Sequence, residues 1–325
     1  KGTDKPNPAS LEVHVDMRPK VSSPIRYSFD FTESGKRFEI VDERIENAEV
    51  FPGYEKPYFY YHYENKHPVL NIKDESGEQS RERYLRREDI DPEKSILAQR
   101  RDPDIYPEIT CLADTLSSIR IYRNWSFGRY TPPRLPQPTD LPNQKLDEDA
   151  RNLGLVLNRL RRIPETKARL LEMFRAVYAE ARDFDVMIEG GTIQIFVQED
   201  QFIIPATRLS DGTLHYLCLL AILYDPTPPP LICIDEPELG LHPDLIDPIA
   251  DALRFASQNT QLIVTTHSTA LVDAFTDDPE TILVCEKWDG CTHIQRLDAK
   301  QLSPWLEKYR LGNLWTSGEI GGNRW

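Results

Sequence analysis

Residues 231–242, LICIDEPELGLH, constrain the fold of this chain more than any other stretch. Four apolar residues follow a triple proline, and an unbroken run of this length is typical of a strand buried on both faces of a parallel sheet. The run delivers two adjacent carboxylates, Asp235 and Glu236, at its carboxyl end, where open α/β sheets bind ligands. Taken alone, the pattern is equally compatible with a core strand that ends in an ordinary acidic turn.

Two flanking segments favour a ligand site. Upstream, residues 209–213 read LSDGT and precede an apolar run that predicts a helix, which Ser210 can cap. The free N–H groups at the start of such a helix attract phosphate. Downstream, residues 261–268 read QLIVTTHS, a second apolar strand that ends in His267. Each flanking segment alone is usually structural, but the three together in this order form a specific set.

This set resembles the motifs of an ABC-type ATPase. LSDGT resembles the signature motif, LICIDE the Walker B strand and TTHS the switch histidine. Residues 236–243, EPELGLHP, are unlike the D-loop of membrane transporters and resemble the RecF/SMC/OLD branch, whose soluble ATPases mostly work in DNA repair, chromosome handling and anti-phage defence. The closing residues 311–325 resemble the end of a bacterial group of ATPases within that branch.

The resemblance implies a catalytic set. Asp235 is expected to bind Mg²⁺, Glu236 to act as general base or to position the attacking water, and His267 to contact the γ-phosphate of ATP. Gln99 is the candidate for the glutamine that contacts both Mg²⁺ and the attacking water in this family. A solvated polar glutamine is the alternative interpretation of Gln99.

The resemblance also implies a nucleotide-binding set, formed by Ser210, Asp211, Gly212 and Thr213 together with the Walker B aspartate. Ser210 and the backbone of Gly212 are expected to meet the γ-phosphate of ATP bound to a second subunit, so the active species is expected to be a homodimer. A Cβ at Gly212 would hinder the approach of phosphate to backbone. Asp211 departs from the commonest signature pattern, and we expect its carboxylate to point away from the triphosphate.

One motif of the family is missing from these residues. None of the fifteen glycines lies in the pattern GxxxxGK[ST], which cradles phosphate in P-loop proteins. Because the other three motifs are present, we expect the P-loop to be supplied by residues preceding Lys1. A protein that has lost the loop is the alternative.

The predicted fold class is α/β and similar to ABC ATPases, with a mixed sheet core, an antiparallel β meander and an inserted helical lobe. The predicted parts are the meander at 1–95, the helical lobe at 96–200 and the motif-bearing core at 201–325. Two amphipathic helices are predicted at 147–162 and 165–182, after an irregular proline-rich linker at 131–142.

Composition narrows the class of protein. The net charge of −14 argues against broad nonspecific DNA binding, because phosphate contacts need clustered Lys and Arg. Residues 120–134, in which arginines alternate with aromatics, predict either a local nucleic-acid surface or a packed loop with solvated arginines. No apolar run approaches the roughly 18 residues that span a bilayer, so we expect no membrane partner. Five cysteines without CxxC pairing indicate reduced core residues of a cytoplasmic protein.

These observations predict an Mg²⁺-dependent ATPase that uses ATP-driven dimerisation to control a nucleic-acid or effector partner in DNA repair or anti-phage defence. The alternative is a nucleotide-gated regulatory protein with little or no hydrolysis. A nuclease of the OLD type is disfavoured, because the 58 residues after His267 contain no DxD pair.

Overall fold

A computed structural model describes residues 8–34, 37–64, 67–73 and 80–322, and the chain divides into two units, Lys1–Ser118 and Ile119–Trp325. The first unit is built on a six-stranded antiparallel meander in which each strand pairs with the next. Its strands are β1 (Ala9–Val15), β2 (Ile25–Ser34), β3 (Arg37–Asn47), β4 (Phe59–Glu64), β5 (His67–Lys73) and β6 (Ser80–Tyr84). The predicted meander is therefore confirmed. The sequence also predicts hairpin turns at 33–36 and 65–68, and these fall partly outside the described residues.

Two helices pack on the core of this meander, α1 (Ile96–Gln99) and α2 (Pro107–Ser117). The start of α1 is fixed by the buried carboxylate of Glu43 on β3, which accepts hydrogen bonds from the Ser95 hydroxyl at 2.5 Å and from the Ile96 N–H at 3.1 Å. Burial raises the pKa of Glu43, although these hydrogen bonds oppose the effect. A buried acid with its oxygens satisfied therefore ties the meander to the helix.

The second unit contains a three-stranded parallel sheet in the order β13-β12-β7, a four-stranded sheet in which β10 pairs with β8, β9 and β11, and a β14–β15 hairpin. Its strands are β7 (Arg120–Tyr122), β8 (Gln137–Pro138), β9 (Asp183–Glu189), β10 (Thr192–Gln198), β11 (Ile203–Pro205), β12 (Leu231–Asp235), β13 (Gln261–Thr265), β14 (Leu283–Trp288) and β15 (Cys291–Arg296). Its helices are α3 (Leu153–Leu160), α4 (Pro164–Phe174), α5 (Asp211–Leu223), α6 (Ile246–Ser257), α7 (Thr269–Ala274), α8 (Ala299–Leu306) and α9 (Leu311–Thr316).

Helix α5 lies at the centre of this unit, and every side chain from Thr213 to Leu223 is buried. Its core is shared by α3, α4, β9, β10, β12 and α6. The helices predicted at 147–162 and 165–182 therefore pack in one core with the motif-bearing residues. The division into three parts stays a prediction. Helix α3 also begins later than predicted, because the buried Asn152 side chain bonds to the backbone of Asp147, Pro142 and Lys145 and holds that segment as a turn.

Strand β12 is covered on one face only within the part of the chain that the structure describes. Ile232 and Ile234 are buried in the core. On the opposite face, Cys233 pairs with Ile121 of β7 and with Ile263 of β13, and both isoleucines are half-exposed. The expectation that this strand is buried on both faces is wrong here, and a parallel sheet with an open apolar face is unusual.

The proline-rich segment at 131–142 is a packed element, so its prediction as an irregular linker is wrong. Residues Pro132–Arg134 form a 3-10 turn, and β8 pairs with β10 as an edge strand, where proline is tolerated. The buried side chain of Gln137 accepts a 2.7 Å hydrogen bond from the Gly154 N–H of α3. Contacts with residues distant in sequence order this segment.

The closing segment braces the helix that follows His267. The Gly312 N–H of α9 donates a 2.6 Å hydrogen bond to the Asp273 carboxylate of α7. A Cβ at Gly312 would lie 2.6 Å from that carboxylate and from the Thr269 carbonyl oxygen, so only glycine allows this contact. Residues 323–325 of the closing segment lie outside the described part of the chain.

All five cysteines are free. Cys218 is buried, whereas Cys285 and Cys291 on the hairpin are exposed, so the expectation of core cysteines is wrong for these two. Among the helices that the structure describes, none is both long and apolar enough to cross a bilayer.

Candidate functional site

The carboxyl ends of β12 and β13 meet at one edge of the parallel sheet, where Asp235 pairs with Thr265. The Thr265 hydroxyl donates a short hydrogen bond to the Asp235 carboxylate. Asp235 is exposed, so its carboxylate is oriented by the neighbouring strand and still open to a ligand. Two adjacent strand ends therefore present an oriented acid at the sheet edge, where α/β proteins bind ligands.

Glu236 adopts a left-handed backbone conformation, with φ of +46°. Its N–H still donates to the Thr265 carbonyl at 3.0 Å, so the chain turns sharply while the last rung of the sheet is kept. Such a conformation costs a non-glycine residue about 1–3 kcal/mol and is found most often at functional sites. The Glu236 carboxylate lies 3.8 Å from Nε2 of His267, which is exposed. The turn thus brings the predicted base and the predicted switch histidine together.

The signature-like turn caps α5 as predicted. Oγ of Ser210 accepts a 3.0 Å hydrogen bond from the Thr213 N–H and lies 2.7 Å from the Thr213 hydroxyl. Thr213 is buried, so its hydroxyl supports the cap. A Cβ at Gly212 would lie 3.4 Å from the Gly240 carbonyl oxygen, which places the start of α5 against the loop that follows β12. The roles of these residues toward nucleotide stay predictions.

The carboxylate of Asp211 accepts a hydrogen bond from the guanidinium of Arg134, whose side chain is 9% exposed. Other N–H groups of Arg134 donate to the carbonyls of Gly128, Ala206, Thr207 and Leu209. The acid of the signature-like turn is thus paired with a cation 77 positions earlier in the chain. The expectation of solvated arginines at 120–134 is wrong for Arg134.

Trp125 links β12, the strand that resembles Walker B, to α5. Its indole Nε1–H donates a 3.0 Å hydrogen bond to the Asp235 carbonyl, and its ring lies 4.5 Å from the ring of His215. Nδ1 of His215 lies 3.1 Å from the Leu239 carbonyl, which can only accept, so Nδ1 carries the hydrogen. Burial lowers the pKa of His215 to about 4, so the ring is neutral at pH 7. Tyr122, Trp125 and Phe127 therefore pack around the site, as one of the two interpretations of 120–134 predicted, whereas Tyr130 is exposed.

Gln99 lies in the first unit, at the end of α1. Its Oε1 accepts from the Asp91 N–H at 2.8 Å, and its Nε2 donates to the carbonyls of Asp91 and Lys94 at 3.1 and 2.7 Å. The amide therefore fixes the backbone of the preceding loop. Its proposed contact with Mg²⁺ and water stays a prediction.

Four residues near the site were not predicted to belong to it: Trp125 and Arg134, which were considered only as members of the stretch 120–134, and His215 and Glu238. Glu238 accepts a short hydrogen bond from the Thr266 hydroxyl, and its other carboxylate oxygen is buried without a hydrogen-bond partner among the described residues. A glutamate two positions after the adjacent acids Asp235 and Glu236 was a signal that could have pointed to this carboxylate. The other three have partners 24 to 110 positions away, and local sequence gives no sign of such partners.

The donor set at the sheet edge fits a hard divalent cation. Mg²⁺ is usually bound through one or two carboxylates together with substrate phosphates. The exposed carboxylate of Asp235 supplies such an oxygen, and Glu236 follows it directly. Within the described ranges, no cluster of three or more His, Cys, Asp or Glu side chains is arranged to hold a metal by itself. One or two carboxylates at a strand end suit an ion whose remaining positions are filled by water and a bound phosphate.

The family model described as "AAA domain, putative AbiEii toxin, Type IV TA system" matches residues 22–273, about three quarters of the chain. This match confirms the resemblance to ABC-type ATPases of the RecF/SMC/OLD branch that the motifs predicted. A search of curated proteins found no match.

Several solved structures are similar to this chain. An SMC head bound to the C-terminal winged-helix domain of ScpA matches with a TM-score of 0.43 and 12% identity, covering 86% of this chain and 76% of that chain. A structure from work on ATP-driven dimerisation and DNA-stimulated activation of SMC ATPases matches with a TM-score of 0.35 and 16% identity, covering 48% of this chain and 96% of that chain. An SMC head with an extended coiled coil from Pyrococcus furiosus gives 0.36 and 16%, covering 47% of this chain and 41% of that chain.

Proposed function

The chain belongs to this family of AAA domains, and on that premise we propose that it is an Mg²⁺-dependent ATPase whose nucleotide sites are completed when two copies dimerise. Family membership indicates an ATPase that binds ATP. The observation that carries the finer proposal is the strand edge at which Asp235, Glu236 and His267 lie together.

The chemistry assigned to this edge follows from what each group can do. Asp235 holds Mg²⁺, which when bound supplies positive charge beside the phosphates. Glu236, turned toward His267 by its left-handed backbone, orients the attacking water and accepts its proton. His267 is exposed at the end of β13 and donates to the γ-phosphate. These are the roles that the resemblance implies, and the observed turn is compatible with each of them.

The second half of the site is the start of α5. Ser210 and the N–H groups near Gly212 form a helix N-terminus that suits a phosphate. In the proposed dimer they meet the nucleotide held by the sheet edge of the other copy. ATP then acts as a reversible clamp between two surfaces, and hydrolysis releases it.

A phosphate-binding loop completes the proposal. The open apolar face of the β13-β12-β7 sheet, with half-exposed Ile121 and Ile263, suits a helix packed against it, because parallel sheets are normally covered on both faces. We infer that the helix of a P-loop unit packs on this face and that its phosphate-binding loop then lies beside Asp235.

The output of the dimer is proposed to be control of an effector protein or a nucleic acid. The net charge of −14 disfavours a broad nucleic-acid surface. ATPase stimulation by DNA, by RNA and by a co-purifying protein is therefore the assay that distinguishes these partners. DNA repair and anti-phage defence are the settings proposed from the resemblance.

The central experiment is Glu236→Gln in the full-length protein. Because the amide keeps the size of the side chain but cannot accept a proton, phosphate release should fall by about 10²-fold or more. ATP should still bind, and light scattering should show a longer-lived dimer.

Glu172→Gln, on the exposed surface of α4, is the matched control and should turn over as the wild type. Near-normal turnover of Glu236→Gln would remove Glu236 from the role of base. If the wild type dimerises with ATP but releases no phosphate, the nucleotide-gated regulatory protein is the better description.

A further inference from the structure

We propose that Arg134 is a positioning residue for the nucleotide site: it holds the turn that precedes α5 and neutralises Asp211, so that this helix start can face a triphosphate. The inference rests on the proposed function, because it concerns the contact of Ser210 and Gly212 with ATP. It adds a residue that the motifs do not include.

The guanidinium of Arg134 binds the backbone that leads into α5. Arg134 is the last residue of the 3-10 turn Pro132–Arg134, and its side chain is buried. Nη1 of Arg134 lies within hydrogen-bond distance of three carbonyls of the segment before α5, those of Ala206, Thr207 and Leu209, and its two N–H groups are shared among them. Nε donates to the Gly128 carbonyl and Nη2 to Asp211, so the planar fork binds the backbone and the acid at once, which the single nitrogen of a lysine ammonium cannot do. Arg134 therefore fixes the backbone directly before Ser210.

Arg134 also compensates the negative charge of Asp211. Asp211 is the first residue of α5, and an acid there is favoured by the helix dipole in the free protein. The same acid would repel a triphosphate that approaches the helix start. The bond to Arg134 both orients the carboxylate and compensates its charge. The acid in LSDGT is therefore compatible with an anion site only while Arg134 is present.

The Arg134–Asp211 pair differs from an ordinary buried ion pair in the exposure of its acid. At the other end of α5, Arg159 and Lys145 bind Asp225, whose side chain is 5% exposed. The side chain of Asp211 is 55% exposed, although its partner is buried. A ligand can reach the charge of Asp211 but not that of Asp225. The pair thus joins a buried cation, Arg134, to an acid that a ligand can reach, Asp211.

The test uses the full-length protein and two measurements, thermal unfolding and the ATP concentration for half-maximal dimerisation by light scattering. Arg134→Met should lower the unfolding temperature and raise that ATP concentration by at least about 10-fold, since Asp211 is then uncompensated. Adding Asp211→Asn should bring the ATP concentration back to within about 3-fold of wild type without restoring stability. Arg159→Met, the matched control, should lower stability and leave the ATP concentration unchanged.

Three outcomes overturn the inference: equal ATP dependence of Arg134→Met and the double variant, an equal rise with Arg159→Met, or no rise with Arg134→Met. If Arg134→Met does not fold, Asp211→Asn alone decides, because the guanidinium charge then acts on the triphosphate and should lower the ATP concentration several-fold. No change in that variant counts against the inference. Failure of the proposed function is distinguished by Ser210→Ala: if it also leaves ATP-dependent dimerisation untouched, the helix start does not contact nucleotide.

Discussion

The two ends of α5 carry the same kind of ion pair in opposite surroundings. At the start of the helix, buried Arg134 binds the half-exposed Asp211. At its end, Arg159 and Lys145 enclose the buried Asp225. Both acids have an arginine partner more than 60 positions away in sequence. The difference between the ends lies in which partner faces solvent.

Asp225 shows what a closed pair does. Burial raises the pKa of Asp225, but the hydrogen bonds from Arg159 and the Thr227 N–H, with the charges of Arg159 and Lys145, outweigh burial and leave the pKa below its usual value. Its charge is therefore held in place by the fold and contributes stability above the unfolded-state pKa of about 4. That contribution is lost as the pH falls through the folded value. An open pair such as Arg134–Asp211 keeps one partner available, which is the arrangement that a ligand site needs.

The largest expected effect is at the open end. Gly212→Asp adds a second acid to the start of α5, and repulsion of a triphosphate in a partly dried interface costs on the order of several kcal/mol. ATP-dependent dimerisation should be lost in sizing by light scattering, while a single chain still binds ATP.

Gly212→Ala separates bulk from charge in that experiment. An added Cβ would meet its nearest neighbour, the Gly240 carbonyl oxygen, at 3.4 Å, which is an ordinary contact, so the variant should fold normally. Wild-type dimerisation by Gly212→Asp would mean that the start of α5 is only a capped helix. The two ends would then be alike.

The next effect is at the closed end. Asp225→Ala leaves the cations of Arg159 and Lys145 without their acid, and breaking a buried pair costs about 3–5 kcal/mol. Denaturant unfolding should show this loss, with the ATP dependence of dimerisation unchanged. Adding Arg159→Met should recover part of the stability, because it removes a stranded charge. A rise in the ATP requirement of Asp225→Ala would show that the closed end is coupled to the site.

The difference between local and distant contacts explains which features could be predicted from the sequence. The meander, β12, β13 and the Ser210 cap follow from periodicity and from neighbours a few residues apart, and the structure has them as predicted. Residues 120–134 predict either a nucleic-acid surface or a packed loop with solvated arginines, and neither interpretation finds the buried Arg134, because most of its acceptors lie more than 70 positions downstream. The open face of β12 was missed for a similar reason: an apolar run shows that a strand can be buried, not which elements cover it.

The smallest predicted effect uses pH to separate the two ends. His215, one turn into α5, is 2% exposed, and burial lowers its pKa to about 4, although the hydrogen bond to the Leu239 carbonyl opposes the shift. In the unfolded chain a histidine titrates near pH 6.5. Between these values the unfolded chain binds a proton that the folded chain does not, so stability falls as the pH falls from 6.5 to 4. The loss is on the order of 3 kcal/mol.

The measurement is the free energy of unfolding in denaturant at pH 7, 6, 5 and 4.5, for the wild type and His215→Asn. Asparagine keeps an N–H near the Leu239 carbonyl but does not titrate, so the difference between the two curves isolates His215. The wild type should lose stability relative to the variant below pH 6.5, while Asp225 is still charged because its pKa is lowered. As the pH falls, the loss of stability that comes from His215, at the end that faces the proposed nucleotide site, should therefore appear before the loss that comes from Asp225 at the closed end. Parallel curves would show that the folded chain accepts the proton on His215. The two ends of α5 would then not differ in how their stability responds to acid.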